Sequence, residues 1–166
     1  MSATPVLTYL EMRSSQDLQP CVTVAAKVDL EKQERYSPTI RGVTLQIGRR
    51  HDWPSQSWSE LEWRRYLERP NLRHWLGTVG GNAVGLASLD FDPAGHVEID
   101  TFGLLPQFQG RGLGGAFLAA VVHQAWLRDP LARRLWLHTS GQDHPHALKN
   151  YLARGFVIYR TDDAES

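Results

Sequence analysis

A strand-like segment, a glycine cluster and a long apolar run follow one another directly within residues 97–125. The strand-like residues reach Leu104, Pro106 interrupts them, and four glycines fall within the six positions 110–115. The apolar run that begins at Leu113 has the length of a helix. Backbone N–H groups without a helical partner and the helix dipole both favour negative charge at the start of a helix. The order strand, glycine turn, helix therefore predicts a phosphate site at this turn.

The bulk composition is typical of one globular domain. The chain has 166 residues, of which 42% are apolar, so we expect residues 1–166 to form a single domain with one core. Lysine plus arginine equals aspartate plus glutamate at 18 each, which argues against a nucleic-acid or membrane-surface protein. The single cysteine, Cys21, excludes an intrachain disulfide. The first residues do not resemble a signal peptide and no apolar run reaches about 18 residues, so we expect a cytoplasmic protein.

Periodicity and turn signals predict an α+β fold. Strands are predicted at Val6–Met12, Val22–Val28, Leu72–Val79, Ala83–Phe91, Val97–Leu104, Arg134–Thr139 and Phe156–Arg160. Helices are predicted at about residues 38–48, 59–69, 113–128 and 146–154, and the charged segment Asp29–Tyr36 stays ambiguous. Glycine turns join three of the strands in an antiparallel meander, and the long helix makes one parallel crossover. We expect a mixed, mostly antiparallel sheet with helices on both faces.

Helix-start signals precede three of the predicted helices. Ser37 is an N-cap candidate with Pro38 in the first helical position. Residues 57–62 contain two overlapping capping-box patterns, Ser57 with Glu60 and Ser59 with Glu62. The segment Asp143–His144–Pro145 is predicted to cap the short fourth helix. A metal site at Asp143, His144 and His146 is the alternative, but Pro145 intervenes and the sequence shows no clear further ligand, so we expect none.

The glycine turn admits two further interpretations. Residues 110–115 satisfy G-x-G-x-x-G, the dinucleotide fingerprint, which is weak alone. A Rossmann domain needs repeated βαβ units, and only about forty residues follow the helix. A turn that serves packing alone is less favoured, because each of the four glycines costs conformational entropy on folding.

Two other motifs resemble those of one family. The first, Q/R-x-x-G-x-G/A, occurs as QGRGLG at residues 109–114, and the second, A-x-x-x-Y-x-x-x-G-F, occurs at residues 147–156. In these motifs, and in the order of its elements over residues 72–160, the chain resembles the GCN5-related N-acetyltransferase (GNAT) family. The resemblance implies an acyl-CoA N-acyltransferase fold. It also implies transfer of an acetyl group from acetyl-CoA to a primary amine, by direct attack in a ternary complex. The resemblance is weaker over the first 70 residues, where this family usually places its acceptor-specific helices.

The resemblance also assigns the cofactor contacts. The pyrophosphate of acetyl-CoA is expected at Gln109, Gly110, Arg111, Gly112, Leu113 and Gly114. The main chain of Phe102, Gly103 and Leu104 is expected to pair with the pantetheine arm, Gly103 easing close approach or a bulge. The Leu104 N–H is the expected oxyanion donor. His144 stands where the family often has asparagine, and a neutral imidazole can still donate one hydrogen bond there.

Amine acetylation needs a base and an acid. An amine with a pKa near 10.4 costs about 4–5 kcal/mol to deprotonate at pH 7. The resemblance implies that Glu98, eleven positions before Gln109, is the general base. Asp100, on the same face of the strand, is the second candidate. A third possibility is that water alone accepts the proton. Tyr151 is the expected general acid for the departing thiolate of CoA. The alternatives without a catalytic role are that Glu98 and Asp100 are carboxylates on an exposed face of the sheet and that Tyr151 is a half-buried tyrosine of a helix.

The acceptor is expected to be a small-molecule or peptide amine, and acyl groups longer than acetyl and a homodimer are left open. Trp53, Trp58 and Trp63 lie where the acceptor pocket is expected, although core packing is the default for tryptophan. Two competing functions keep the glycine turn: a non-catalytic acyl-CoA-binding or sensor module, and a nucleotide-binding protein.

Overall fold

The computed structural model describes residues 6–22 and 26–162. The strands within these residues are β1 (Leu7–Met12), β2 (Asp29–Gln33), β3 (Leu72–Val79), β4 (Asn82–Phe91), β5 (His96–Leu104), β6 (Arg134–Ser140) and β7 (Val157–Asp162). The α-helices are α1 (Pro38–Gly48), α2 (Glu60–Leu67), α3 (Gly114–Arg128) and α4 (Ala147–Ala153).

All the described strands belong to one sheet, in the order β2-β3-β4-β5-β6-β1-β7. Only β5 and β6 run parallel, and α3 connects them. The predicted α+β class, with a mixed and mostly antiparallel sheet, is confirmed. The parallel pairing is short, because it covers only His96–Glu98 against Arg134–Trp136. Beyond Glu98 the two strands separate, and this separation creates the space that the site uses.

Helices cover both faces of the sheet, as predicted. Neighbouring residues of β3 divide between the faces: Trp75 packs in the core cluster of α3, and Leu76 packs in that of α1. Phe117 of α3 is fully buried at the centre of the larger cluster. A Cβ at Gly77 would lie 2.6 Å from the Phe117 ring and one at Gly85 would lie 2.7 Å from it. Both strands therefore need glycine beneath α3.

The N-terminal region differs from the prediction at one strand. The strand predicted at Val22–Val28 is wrong for its described residues, which are not in a strand, and residues 23–25 lie outside the described part. The charged segment that the sequence left ambiguous forms β2 instead, at Asp29–Gln33. Because β2 is the edge strand, its charged side chains face water and discourage pairing with another chain. A strand with so many charged side chains lacks the apolar alternation from which strands are predicted.

The first two helices begin as predicted. The Ser37 hydroxyl accepts the Thr39 N–H at 3.3 Å, and Pro38 occupies the first helical position of α1. At α2 the Ser59 hydroxyl accepts the Glu62 N–H at 3.2 Å, and the Glu62 carboxylate accepts the Ser59 N–H at 2.6 Å. This reciprocal pair is a complete capping box.

The predicted cap of the fourth helix is wrong. Helix α4 begins at Ala147 after His146, without a side-chain cap. The Asp143 carboxylate instead accepts hydrogen bonds from the Thr139 hydroxyl at 2.5 Å and from the Ser140 N–H at 2.8 Å. Asp143 thus stabilises the turn after β6. It lies three residues before His146, which occupies the N-cap position of α4.

Candidate active site

A cavity of about 980 Å³ opens where β5 and β6 separate. Residues 99–104 line it from β5, while His138 and Ser140 line it from β6. The glycine turn and α4 border one end, and the end of α1 with the segment after it borders the other. This volume falls in the usual range for small-molecule and cofactor sites.

The β5 side of the cavity presents an open strand edge. The Leu105 N–H donates to the Val84 carbonyl of β4 at 2.8 Å. Because successive N–H groups of a strand point to opposite edges, the Leu104 N–H points away from β4, toward the side that β6 has left. The Leu104 carbonyl accepts the side-chain amide of Gln109 at 3.2 Å. An extended ligand can therefore pair with this edge as a further strand would.

The glycine turn is shaped for an anion. Gly110 and Gly112 have φ values of 73° and 75°, in the left-handed region that glycine tolerates best. Helix α3 follows without any side-chain cap at Leu113. Its first N–H groups therefore need partners from outside the helix, and an anion in the turn supplies them. Arg111 is not among the residues that line the cavity, and its guanidinium lies over the Phe108 ring at 5.6 Å.

Arg154, which motif reasoning overlooked, lies beside this turn. Its side chain is buried, with 8% of its surface exposed, and its Nε has no hydrogen-bond partner. A Cβ at Gly115 would lie 2.6 Å from its Nη1, so the guanidinium packs against the first turn of α3. Within residues 6–22 and 26–162 no carboxylate pairs with it. A buried cation next to a helix N-terminus is costly unless an anion joins them.

Tyr151 is buried and lines the cavity. Its ring packs against Phe102 and Phe156, with centroid separations of 6.1 and 6.0 Å. Burial, together with the carboxylate of Asp143, raises the pKa of Tyr151. The hydroxyl consequently stays protonated at neutral pH.

His144 also lines the cavity. Its Nδ1 accepts the His146 N–H at 3.2 Å, which leaves Nε2 to carry the proton of the neutral ring. Burial, and then the neighbouring His146 and His51, lower the pKa of His144. The ring is therefore neutral above pH 7 and offers one N–H, as its predicted cofactor role requires.

Asp100 is the carboxylate that lines the cavity from β5. It accepts hydrogen bonds from Arg69 Nη1 at 3.1 Å, from the Tyr66 hydroxyl at 2.7 Å and from the Thr101 hydroxyl at 3.2 Å. The pairing of β4 with β5 shifts register here and leaves Asp100 as the extra residue of a β-bulge. The bulge expected at Gly103 thus lies at Asp100, and a Cβ at Gly103 would lie 2.6 Å from Ile47 Cγ2 of α1.

Glu98 lies opposite Asp90 on β4 and is not among the residues that line the cavity. Burial first, and then the charge of Asp100, raise its pKa to about 7, while Arg69 opposes the shift. Glu98 can therefore take up and release a proton near neutral pH, although a water chain is needed to connect it with the cavity.

Of the three tryptophans predicted to lie near the acceptor pocket, Trp53 and Trp58 line the cavity, and Trp63 belongs to the core. The Trp53 indole N–H donates to the Asp143 carboxylate at 3.1 Å. This bond joins the segment after α1 to the turn after β6, across 90 positions of sequence. Trp58 packs against Trp63 and Tyr66, with centroid separations of 4.9 Å in both cases.

Residues 43–156, more than half of the chain, match the acetyltransferase (GNAT) family. The chain belongs to the GNAT family. Among solved structures, this GNAT protein is similar to a GCN5-related N-acetyltransferase from Sphaerobacter thermophilus, with a TM-score of 0.67 and 15% identity over 96% of this chain and 50% of that one. A GCN5-related N-acetyltransferase from Kribbella flavida gives 0.65 and 17%, over 96% and 57%. An IAA acetyltransferase from Bacillus cereus gives 0.61 and 20%, over 81% and 79%.

At these identities the likenesses establish the fold, and the GNAT chain spans little more than half of the length of the first two structures. No curated protein matches it significantly. Among the described residues the sheet has a single parallel pair and lacks the repeated βαβ units of a dinucleotide-binding domain. The described residues contain no group of three histidine, cysteine, aspartate or glutamate side chains that could hold a metal. They also contain no helix with the length and apolar character of a membrane span.

Proposed function

We propose that this GNAT protein is an N-acetyltransferase that moves an acetyl group from acetyl-CoA to a primary amine by direct attack in a ternary complex. The observation that carries the proposal is the cavity between β5 and β6. Along one path it presents the uncapped start of α3, an open strand edge and the protonated hydroxyl of Tyr151. These groups suit a pyrophosphate, a pantetheine arm and a departing thiolate, in that order.

The cofactor contacts follow from these groups. The turn of residues 110–114 and the buried Arg154 guanidinium bind the pyrophosphate. The edge at Phe102 and Leu104 pairs with the amides of the pantetheine arm. The Leu104 N–H then lies on the side where the thioester carbonyl comes to rest and stabilises the oxyanion that forms there. The Nε2–H of His144 donates a further hydrogen bond to the arm.

Protons move in two places during the transfer. Glu98 takes one proton of the acceptor ammonium through water, and the neutral nitrogen attacks the thioester carbon. The bond from carbon to sulfur breaks as the tetrahedral intermediate collapses, and Tyr151 protonates the thiolate. The second proton that the nitrogen loses restores the Tyr151 hydroxyl, and Glu98 releases the first. The products are the N-acetylated amine, CoA with a free thiol, and one proton released to solvent.

Cys21 does not supply a covalent intermediate in this scheme. The structure places it in the cavity, although it is distant from the turn in sequence. A Cβ at Gly115 would lie 2.7 Å from Cys21 Sγ, so the thiol lies at the pyrophosphate end, beside α3. The reacting carbonyl belongs at the other end of the arm, near Leu104 and Tyr151.

One observation favours a second function, a non-catalytic acyl-CoA sensor. Glu98 does not line the cavity, so no unengaged carboxylate of β5 touches the acceptor directly. A sensor would bind CoA through the same turn but would release no thiol from acetyl-CoA in the presence of any amine.

Free thiol released from acetyl-CoA, measured across a panel of amines, tests the proposal. We expect amine-dependent release and a higher melting temperature with CoA but not with NAD. Tyr151→Phe should lower kcat by about 10²-fold and leave the KM for acetyl-CoA nearly unchanged, since the ring still packs between Phe102 and Phe156. Tyr159→Phe, on exposed β7 outside the cavity, is the matched control. Thiol release that Tyr151→Phe does not slow would exclude the general acid.

A further inference from the structure

The end of the cavity away from the glycine turn carries net negative charge. Asp52 and Asp100 line this end. Apart from Lys149 of α4 and Arg154 directly after it, Arg69 is the only arginine or lysine among the described residues that line the cavity. Its guanidinium is ion-paired both to Asp100, at 3.1 Å, and to Asp90. One cation balanced by two carboxylates leaves no surplus positive charge, so the pocket attracts an ammonium group and repels a carboxylate.

The walls of the same end are aromatic and held in place. The hydrogen bond to Asp143 fixes the Trp53 indole, and a Cβ at Gly48 would lie 2.9 Å from the Trp53 side chain. Trp58 is held by Trp63 and Tyr66 on its other side. Rings that are ordered before binding cost little entropy when a flat group packs on them, and their faces attract cations.

The acceptor end is also enclosed by two connections between opposite walls. Besides the bond from Trp53 to Asp143, His51 Nδ1 lies 3.1 Å from the Gln142 carbonyl oxygen. Both connections join the segment after α1 to the turn after β6. They limit the space available to a polypeptide and favour a small molecule that shares the cavity with the pantetheine arm.

We propose that the acceptor is a small amine whose cation is carried on a flat aromatic body and which has no carboxylate. This proposal rests on the N-acetyltransferase function. The ammonium group binds near Asp100, and the aromatic body packs between Trp53 and Trp58. The nitrogen then lies beside the strand edge at Phe102, where the thioester carbonyl arrives.

A matched set of amines tests this acceptor class. The set is 2-phenylethylamine, phenylalanine with the same ring and an added carboxylate, n-butylamine with the same charge and no ring, and a short peptide with a free amino terminus. We expect kcat/KM for 2-phenylethylamine to exceed that for n-butylamine by at least 10-fold and that for phenylalanine by at least 100-fold. Equal or better turnover of phenylalanine, n-butylamine or the peptide overturns the proposed class while leaving the N-acetyltransferase function intact.

Binding measured without turnover separates the two proposals. If no amine releases thiol although CoA raises the melting temperature, the transferase function fails. Calorimetric titration of 2-phenylethylamine into the complex with CoA then still tests the pocket. Saturable binding that phenylalanine and n-butylamine do not match supports the pocket, and absence of such binding overturns it.

Variants of Trp58 locate the pocket. We expect Trp58→Leu to weaken the binding of 2-phenylethylamine about 10-fold and to leave the KM for acetyl-CoA unchanged, while Trp58→Phe, which keeps a ring, retains most of the affinity. Trp136→Leu, a tryptophan of β6 outside the cavity, is the control. Circular dichroism verifies that each variant is folded. Unchanged amine binding in folded Trp58→Leu would contradict the assigned wall.

Discussion

Glu98 and Asp100 lie two positions apart on β5 and yet differ in their surroundings. Asp100 accepts three hydrogen bonds, while burial and the charge of Asp100 raise the pKa of Glu98 to about 7. Neighbouring carboxylates in different environments often have different catalytic roles. Asp100 is suited to hold an ammonium group, and Glu98 is suited to accept a proton.

The pH profile tests the role of Glu98. Its carboxylate is the active form of a base, so kcat/KM should gain one limb that rises with pH up to about 7. Glu98→Gln should remove that limb and lower kcat, whereas the limb of the amine itself persists in both proteins. Profiles measured with one acceptor make the comparison, and a variant with the wild-type profile would exclude Glu98.

The same group links stability to pH. Its folded pKa of about 7 exceeds the ordinary value of 4.5, so the folded protein holds the extra proton between these values. The contribution of Glu98 to stability is therefore present below about pH 4.5 and is lost as pH rises through about 7. In urea unfolding, Glu98→Gln should make the free energy of unfolding fall less steeply over this window, and an unchanged slope would contradict the raised pKa.

Arg154 predicts a conflict between stability and binding. Arg154→Met keeps the aliphatic packing and removes a buried cation that has no ion-pair partner among the described residues. The ligand-free variant should melt at a higher temperature than the wild type, and it should bind CoA about 10-fold more weakly. Thermal unfolding and calorimetric titration measure the two effects, with Arg128→Met on exposed α3 surface as the control. Unchanged CoA affinity in Arg154→Met would show that Arg154 does not contribute to CoA binding.

Motifs predicted residues that line the cavity only where a motif has a required residue. The glycine turn and Tyr151 could be predicted from the sequence, because both depend on residues that are close together in the chain. Gly112 has to adopt φ near 75°, and Tyr151 stands at a fixed position of the motif over residues 147–156. Arg154 occupies a variable position of the second motif, so only its burial reveals it. The bond from Trp53 to Asp143 spans 90 positions and has no local signature.

At the scale of elements, local signals predicted where helices begin and failed where tertiary contacts decide. The capping box of α2 is complete in sequence and forms as predicted. The apparent cap of α4 did not form, because the Thr139 hydroxyl and the Ser140 N–H bind the same carboxylate of Asp143. Strand β2 was missed because a charged edge strand lacks apolar alternation.

The capping box should contribute measurably to stability. Ser59→Ala removes the acceptor of the Glu62 N–H and should lower the free energy of unfolding by about 1 kcal/mol. Chemical denaturation measures the change. Ser57→Ala is the matched control, since the Ser57 hydroxyl bonds only to the Pro54 carbonyl of the preceding turn and does not cap α2. Equal effects of the two substitutions would contradict the cap.

The turn before α3 should tolerate only glycine at its left-handed positions. Gly112→Ala forces a side chain into φ near 75° and should cost about 1–2 kcal/mol and raise the KM for acetyl-CoA several-fold. Gly141→Ala is the control, because a Cβ there meets no atom within 4 Å and its φ lies outside the left-handed region. Unchanged KM in Gly112→Ala would show that the turn does not approach the cofactor.

For the whole molecule, the sequence predicted the half of the sheet built from neighbours in the chain. Strands β3, β4 and β5 pair in sequence order, so short turns determine their arrangement. The position of β1 could not be predicted, because its partners are β6 and β7 at the other end of the chain. Strand pairing between residues so far apart in the chain leaves no local sequence pattern from which it could be predicted.

The placement of β1 between β6 and β7 has a consequence for biosynthesis. As the ribosome delivers the chain from its first residue, β1 emerges before any strand that it pairs with, and it must wait for residues 134–162. Leu7 finally lies opposite both Ser140 and Asp162. The β6 wall of the cavity therefore cannot form before these residues are synthesised, and such long-range pairing slows folding. A nascent chain should acquire affinity for CoA only after residues 134–162 have left the ribosome.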